Sequence, residues 1–212
     1  IVVDTTATEI PSPFTITPTS NNKPVWSWQS INDAVSYEVY LNNQLQGTQI
    51  TTYFESPVLD DGTHTIKIRT FDEVGNASLF GTHSVVVDTT APNIPQPNTQ
   101  TPTNDNTPTW TWNSVADATH YEVVLNEVLQ SIQLSNSFTA SGLNDGNHTI
   151  KVRARDSLVN YSGYGVHVVE IDTISPAPPI ISTNTPTNDT TPTWTWNENS
   201  DVEEYEVVFN NQ

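Results

Sequence analysis

The stretch TPTNDNTPTWTWN, residues 101–113, returns at 185–197 with one letter changed, Asn106 giving way to Thr190. Its tryptophans set the period: Trp26, Trp110 and Trp194 are spaced 110 − 26 = 84 and 194 − 110 = 84 residues apart. The same step links Tyr37, Tyr121 and Tyr205, and it carries IVVDTTAT at 1–8 onto VVVDTTAP at 85–92 and VEIDTISP at 169–176. Within the two full copies it also relates Asp61 to Asp145, His64 to His148, Asp72 to Asp156 and Asn76 to Asn160. A chain that repeats at one length without insertions is a string of similar modules. The expected division is 1–87, with 1–3 taken from the last strand of a preceding module, then 88–171, then 172–212 as the amino-terminal half of a third. That layout reads as a slice of something longer.

Inside one copy the hydrophobic period is two. Trp110 and Trp112 share a face while Thr109 and Thr111 take the other, and Tyr121, Val123 and Leu125 alternate with Glu122 and Val124. In NHTIKVRARD, His148, Ile150, Val152 and Ala154 are expected inward and Lys151, Arg153 and Arg155 outward. Shorter runs near 97–101, 128–134 and 136–140, with a last strand in YGVHVVEID, bring the count to about seven, punctuated by Asn, Asp, Gly and Pro. No stretch has a helical period. The sequence therefore predicts an all-β protein of tandem antiparallel β-sandwich modules of immunoglobulin or fibronectin-III type, about seven strands each, strung as an extended rod.

Composition narrows the chemistry. With 6 Lys+Arg against 24 Asp+Glu the net charge is −18, so nucleic acid and anionic lipid are poor partners. No apolar run approaches the ~18 to 20 residues that cross a bilayer as a helix. There is no cysteine, which removes disulfides, thiolate metal sites and cysteine nucleophiles together. No phosphate-cradling glycine motif, GxSxG elbow or HExxH pair occurs, and the reading is of a protein that is not an enzyme.

The order DTTAP, TPTW(T/S)W, A-x-x-Y-E-V, L-x-DG-x-HTIK(I/V)R, D-x-x-x-N resembles the tandem bacterial Ig-like, fibronectin-III-like repeats of giant cell-surface adhesins, over the whole chain. The resemblance implies a structural extender, the stalk of a secreted surface adhesin that projects a distal binding domain. It also implies an extracellular, cell-surface location, on a Gram-negative bacterium. Two other classes stay open: a subunit of an extracellular filament self-associating through the incomplete third module, and an accessory ligand- or carbohydrate-binding module of a large secreted enzyme. The departures from the pattern lie in the linkers, where Asp4 is followed by TTAT and Asp172 by TISP.

The acidic residues are the candidate site. In an immunoglobulin-like module the linker aspartate enters beside the loop between the last two strands, so Asp4 is expected near Asp72 and Asn76, and Asp88 near Asp156 and Asn160, with Asp172 opening the third copy. Asp60 and Asp61 reach the Asp88 junction from the other side, and Asp105 and Asp145 that of Asp172, as weaker candidates. Clustered carboxylates with amide and carbonyl oxygens suit Ca²⁺, and the adhesins this chain resembles bind calcium between repeats. The competing reading makes these Asp and Asn ordinary turn formers.

Three other sets of residues have plainer expectations. His64, His83, His148 and His167 are expected to be structural, and the basic residues of the long strand to pair with Glu38 and Glu122 across the sheet. Tyr40, Tyr53, Tyr161 and Tyr164 would suit an aromatic sugar platform better than the tryptophans, but they do not recur at the 84-residue step. Asn76, Asn147, Asn160 and Asn188 head N-x-S/T triplets, a weak signal in so Asn- and Thr-rich a chain.

Overall fold

The computed structural model describes residues 3–182 and 188–209. Ile1 and Val2, which fall in the strand assigned to a preceding module, lie outside them, as do 183–187 and 210–212. By compactness the chain divides into residues 1–98 with 110–138 and 149–167, and residues 99–109 with 139–148 and 168–212.

The first copy contributes β1 (Val25–Ser27), β2 (Ser36–Leu41), β3 (Gln44–Gln49), β4 (Tyr53–Glu55), β5 (Gly62–Phe71) and β6 (Gly81–Val87). They form two antiparallel sheets, β1-β4 and β3-β2-β5-β6. Alternation buries one face of each strand: Trp26 of β1, Tyr37, Val39 and Leu41 of β2, Ile66 and Ile68 of β5, and Val85 and Val87 of β6 form one cluster with Trp28 and Leu59. Trp26 is wholly buried, and a ring of that size removes about 150 to 250 Å² from water, a gross gain of ~4 to 6 kcal/mol. This is the two-sheet, fibronectin-III-like sandwich that the period-two pattern predicts.

The sequence predicts a first strand that the structure supplies only in pieces. Phe14 bridges to Ser27 of β1, and Thr19 then bridges in parallel to Val87 of β6, so the segment changes sheets midway. The crossing is tight. A Cβ on Gly81 would stand 1.6 Å from the Pro11 carbonyl oxygen, so only glycine fits there, and Gly165 meets Pro95 in the same way at 1.7 Å.

The second copy repeats the design with β7 (Thr109–Thr111), β8 (His120–Leu125), β9 (Val128–Gln133), β10 (Ser137–Thr139), β11 (Gly146–Arg155) and β12 (Gly165–Ile171), in sheets β10-β7 and β12-β11-β8-β9. Two-residue turns of positive φ join the second and third strands of each copy, at Asn42-Asn43 and Asn126-Glu127, the backbone a tight antiparallel hairpin needs. Among the described residues the third copy has β13 (Ile181–Ser182) paired with β14 (Thr195–Trp196), and the YEVV run at 205–208, expected as a strand, is none. In the first two copies that run pairs on both sides, with β3 and β5 or with β9 and β11.

Candidate functional site at the linkers

Asp4, Asp61, Asp72, Asp88, Asp105, Asp145, Asp156 and Asp172 each spend their carboxylate inside a turn or at a linker. Asp72 accepts the backbone N–H groups of Val74 at 3.0 Å and Asn76 at 2.8 Å on Oδ1, and the Asn76 amide at 2.8 Å on Oδ2. Asp156 repeats this with Leu158 and Asn160 at 2.8, 2.9 and 2.8 Å. Burial works against the Asp72 charge, but the side-chain and backbone N–H groups of Asn76 and those of Val74 and Gly75 outweigh it and hold the carboxyl below its ordinary range.

The second amide hydrogen of the asparagine turns to the linker. Asn160 donates to the Asp88 carbonyl at 2.9 Å and Asn76 to the Asp4 carbonyl at 3.2 Å, so the expected approach of linker aspartate to loop is made through the backbone. The linker carboxylates turn inward on their own chain: Asp4 accepts from Thr6 N, Asp88 from Thr90 N and Asp172 from Ile174 N. From the other side, Asp61 accepts the Thr89 N–H at 2.8 Å, the Thr89 hydroxyl at 2.7 Å and the Thr90 hydroxyl at 2.5 Å. Its carboxyl is lowered by the Thr90 hydroxyl first and Thr89 next. Asp145 makes the same two bonds to Thr173, at 3.0 and 2.8 Å, but Ile174 stands where Thr90 would be. Asp105 spends its carboxylate on Thr107, whose hydroxyl and N–H lower it. Asp60 offers its carbonyl to His64 Nε2 at 2.8 Å.

Among the described residues no group of three or more His, Asp or Glu is placed to hold an ion, and the oxygens of Asp61, Asp72 and Asp156 face N–H and O–H donors that a cation would have to displace. The turn-forming reading accounts for the bonds of Asp72, Asp105 and Asp156, while Asp61 and Asp145 reach 28 residues along the chain to Thr89 and Thr173 of the linkers.

Two of the expected sheet-surface pairs form, from Arg69 and Arg153, whereas Lys151 meets Glu127 at 2.6 Å instead of Glu122. Arg69 meets Glu38 at 2.5 Å, and Arg153 meets Glu122 through two parallel bonds of 2.9 Å. The Arg153 bond, against the opposing effect of burial, is the main cause that lowers the Glu122 carboxyl, and Tyr164 adds its hydroxyl at 2.5 Å. Each guanidinium also lies over two rings, Phe71 and Phe80 in the first copy and Tyr161 and Tyr164 in the second, at 4.1 to 5.1 Å. Phe80 and Tyr164 are 84 residues apart, a recurrence of aromatic character that a search for identical letters passes over. The recurring histidines also find reasons. His64 and His148 bond the carbonyls of Asp60 and Asn144, and His167 accepts the Trp110 indole N–H at 3.2 Å. The amides of Asn76 and Asn160, two of the four N-x-S/T asparagines, are engaged as donors.

No family model matches the chain. It is 27% identical over 223 residues to exoglucanase B of Cellulomonas fimi, across 94% of this chain and 20% of that enzyme, so it spans about a fifth of the length of the curated relative it matches. Among solved structures it is similar to fibronectin(III)-like modules of Clostridium thermocellum CbhA, with TM-score 0.46, 15% identity, and 78% of this chain and 90% of that one covered. It is also similar to the central fibronectin-III array of RIM-binding protein, with TM-score 0.31, 19% identity and 88% and 79% covered.

Proposed function

We propose that the chain is a non-catalytic spacer, a run of fibronectin-III-like sandwiches that sets the distance between functional parts of a larger secreted polypeptide. One observation carries the reading. The linker after the first copy is held by its own chain from two directions, by Asp61 on Thr89 and Thr90 and by Asn160 on the Asp88 carbonyl, and the Asp61 bonds to Thr89 recur from Asp145 to Thr173. A linker built only to be flexible has no use for a repeated set of such bonds. The match over nearly the whole chain to part of an exoglucanase supports a secreted polysaccharide-acting enzyme as the host. The near-identity of residues 101–113 and 185–197 favours the second reading, the stalk of a surface adhesin, where reach grows with repeat number.

The absence of cysteine makes a distance measurement direct. Spin labels on Ser30→Cys and Ser114→Cys, exposed and equivalent positions, are expected to give one narrow distance distribution by pulsed electron resonance. Asp61→Ala with Asn160→Ala is expected to broaden it. A broad distribution in the unsubstituted protein overturns the spacer reading. The same measurement in millimolar calcium and in chelator tests the ion: distributions that coincide leave the hydrogen bonds as the staple, and narrowing in calcium alone assigns the junction to Ca²⁺.

A further inference from the structure

The two copies share strands and core but differ on the outer face of the smaller sheet. In the first copy that face carries Phe14, Ile16, Val25 and Tyr53, which are 62%, 72%, 45% and 49% exposed. The positions 84 residues on are Asn98, Gln100, Thr109 and Ser137, all polar and all exposed. Repeats this similar have no folding reason to put aromatic and branched apolar side chains in water in one copy only, and exposed apolar patches mark binding sites.

The register gives the patch a shape. Phe14 is bridged to Ser27, and Ser27 is paired with Tyr53, so the two aromatic residues lie in one row with a serine between them. Two strand spacings put their backbones about 10 Å apart. The next row continues as Val25 opposite Glu55, with Ile16 on the strand segment beyond. Phe14 is braced: its ring meets His83 edge to face with centroids 5.7 Å apart.

We propose that this face binds a neutral, extended β-1,4-linked glucan chain, an inference that rests on the reading of the host as a polysaccharide-acting protein. Two aromatic side chains rising from backbones about 10 Å apart suit the two-sugar repeat of such a chain, whose apolar ring faces stack on aromatic side chains. Ser27 and Glu55 supply acceptors for the sugar hydroxyls between and beside them. A net charge of −18 excludes anionic polysaccharides by the repulsion that excludes nucleic acid. The platform is distinct from Tyr161 and Tyr164, whose rings are engaged with Arg153.

The test is depletion of the full chain from solution by microcrystalline cellulose, with granular starch as the α-linked control and sedimentation velocity alongside. Retention on cellulose and not on starch is expected. Phe14→Ala and Tyr53→Ala are each expected to weaken it roughly fivefold, as loss of one stacking contact implies, and the pair to abolish it. The four side chains are exposed, so unchanged circular dichroism and melting are expected of both variants. The reciprocal pair Asn98→Phe with Ser137→Tyr is expected to strengthen retention by adding a second platform. No retention overturns the proposal, as does retention indifferent to Phe14 and Tyr53. Self-association lost in the same variants also overturns it and assigns the face to another molecule of this chain. None of these failures touches the spin-label distances, so the spacer reading stands or falls separately.

Discussion

The second and third copies contain the same PTWTWN and the same YEVV, and they treat them differently. Trp110 and Trp112 are 0% and 4% exposed, while Trp194 and Trp196 are 43% and 37% exposed. What is local survives in both. The Tyr121 hydroxyl accepts the Val115 N–H and the Tyr205 hydroxyl the Asn199 N–H, at 2.9 and 2.8 Å. The rings of Trp112 and Tyr121, and of Trp196 and Tyr205, pair at 5.5 and 5.6 Å. What is absent is the ladder and the burial: among the described residues nothing pairs with the 205–208 run as β9 and β11 pair with β8. Local sequence sets the tryptophan–tyrosine contact; burial comes from strands distant in sequence.

The largest test of that contrast is a pair of truncations. Trp110→Ala is expected to cost about 3 to 5 kcal/mol in urea unfolding followed by circular dichroism, and Trp194→Ala to stay within about 0.5 kcal/mol. Equal effects would break the comparison. Asp156→Ala, which strips three N–H groups of their acceptor in a buried turn, is expected to cost about 2 kcal/mol in the same assay. Arg153→Ala is expected to lose about 1 to 2 kcal/mol and Arg69→Ala less, since the first guanidinium makes two bonds to its glutamate and the second one.

The smallest effect separates the two linkers. Asp61→Ala is expected to speed amide exchange at Thr89 more than Asp145→Ala speeds it at Thr173, because the Thr90 hydroxyl bond has no equivalent at Ile174. The pH dependence follows in sign. A carboxyl held below its ordinary value of 3.8 holds the linker at neutral pH, and the hold is lost as pH falls below that value. A titration by nuclear magnetic resonance should show the Thr89 and Thr90 signals moving together in that acid range and still near pH 5.

Much of the fold is legible because strand alternation is a local property: the inward residues of HYEVVL and HTIKVRA and the pairing of Glu122 with Arg153 follow from period two and antiparallel neighbours. The broken first strand is not legible, since the switch from β1 to β6 rests on how closely Pro11 and Pro95 pass Gly81 and Gly165. The linker aspartates were found by their recurrence, but recurrence does not distinguish a carboxylate that waits for a cation from one that accepts its neighbours' N–H groups. That distinction needs the positions of the donors. Thr89, Thr90 and Thr173 were in view throughout as part of DTT and DTI, and only their bonds to Asp61 and Asp145 give them a role.

The parallel bridge between Thr19 and Val87 decides how the first copy answers a pull. Tension on residue 4 draws the Thr19 segment one way along its axis, and tension on Asp88 draws β6 the opposite way. The bonds between them, Thr19 N–H to the Val86 carbonyl, Asp88 N–H to the Thr19 carbonyl and Val86 N–H to the Thr17 hydroxyl, then share the load as a shear and must give way together. Antiparallel neighbours pulled from one end would part bond by bond, like a zip. The second copy carries the same arrangement in Thr101, Thr103, Glu170 and Asp172, so each would resist force more than its modest size suggests.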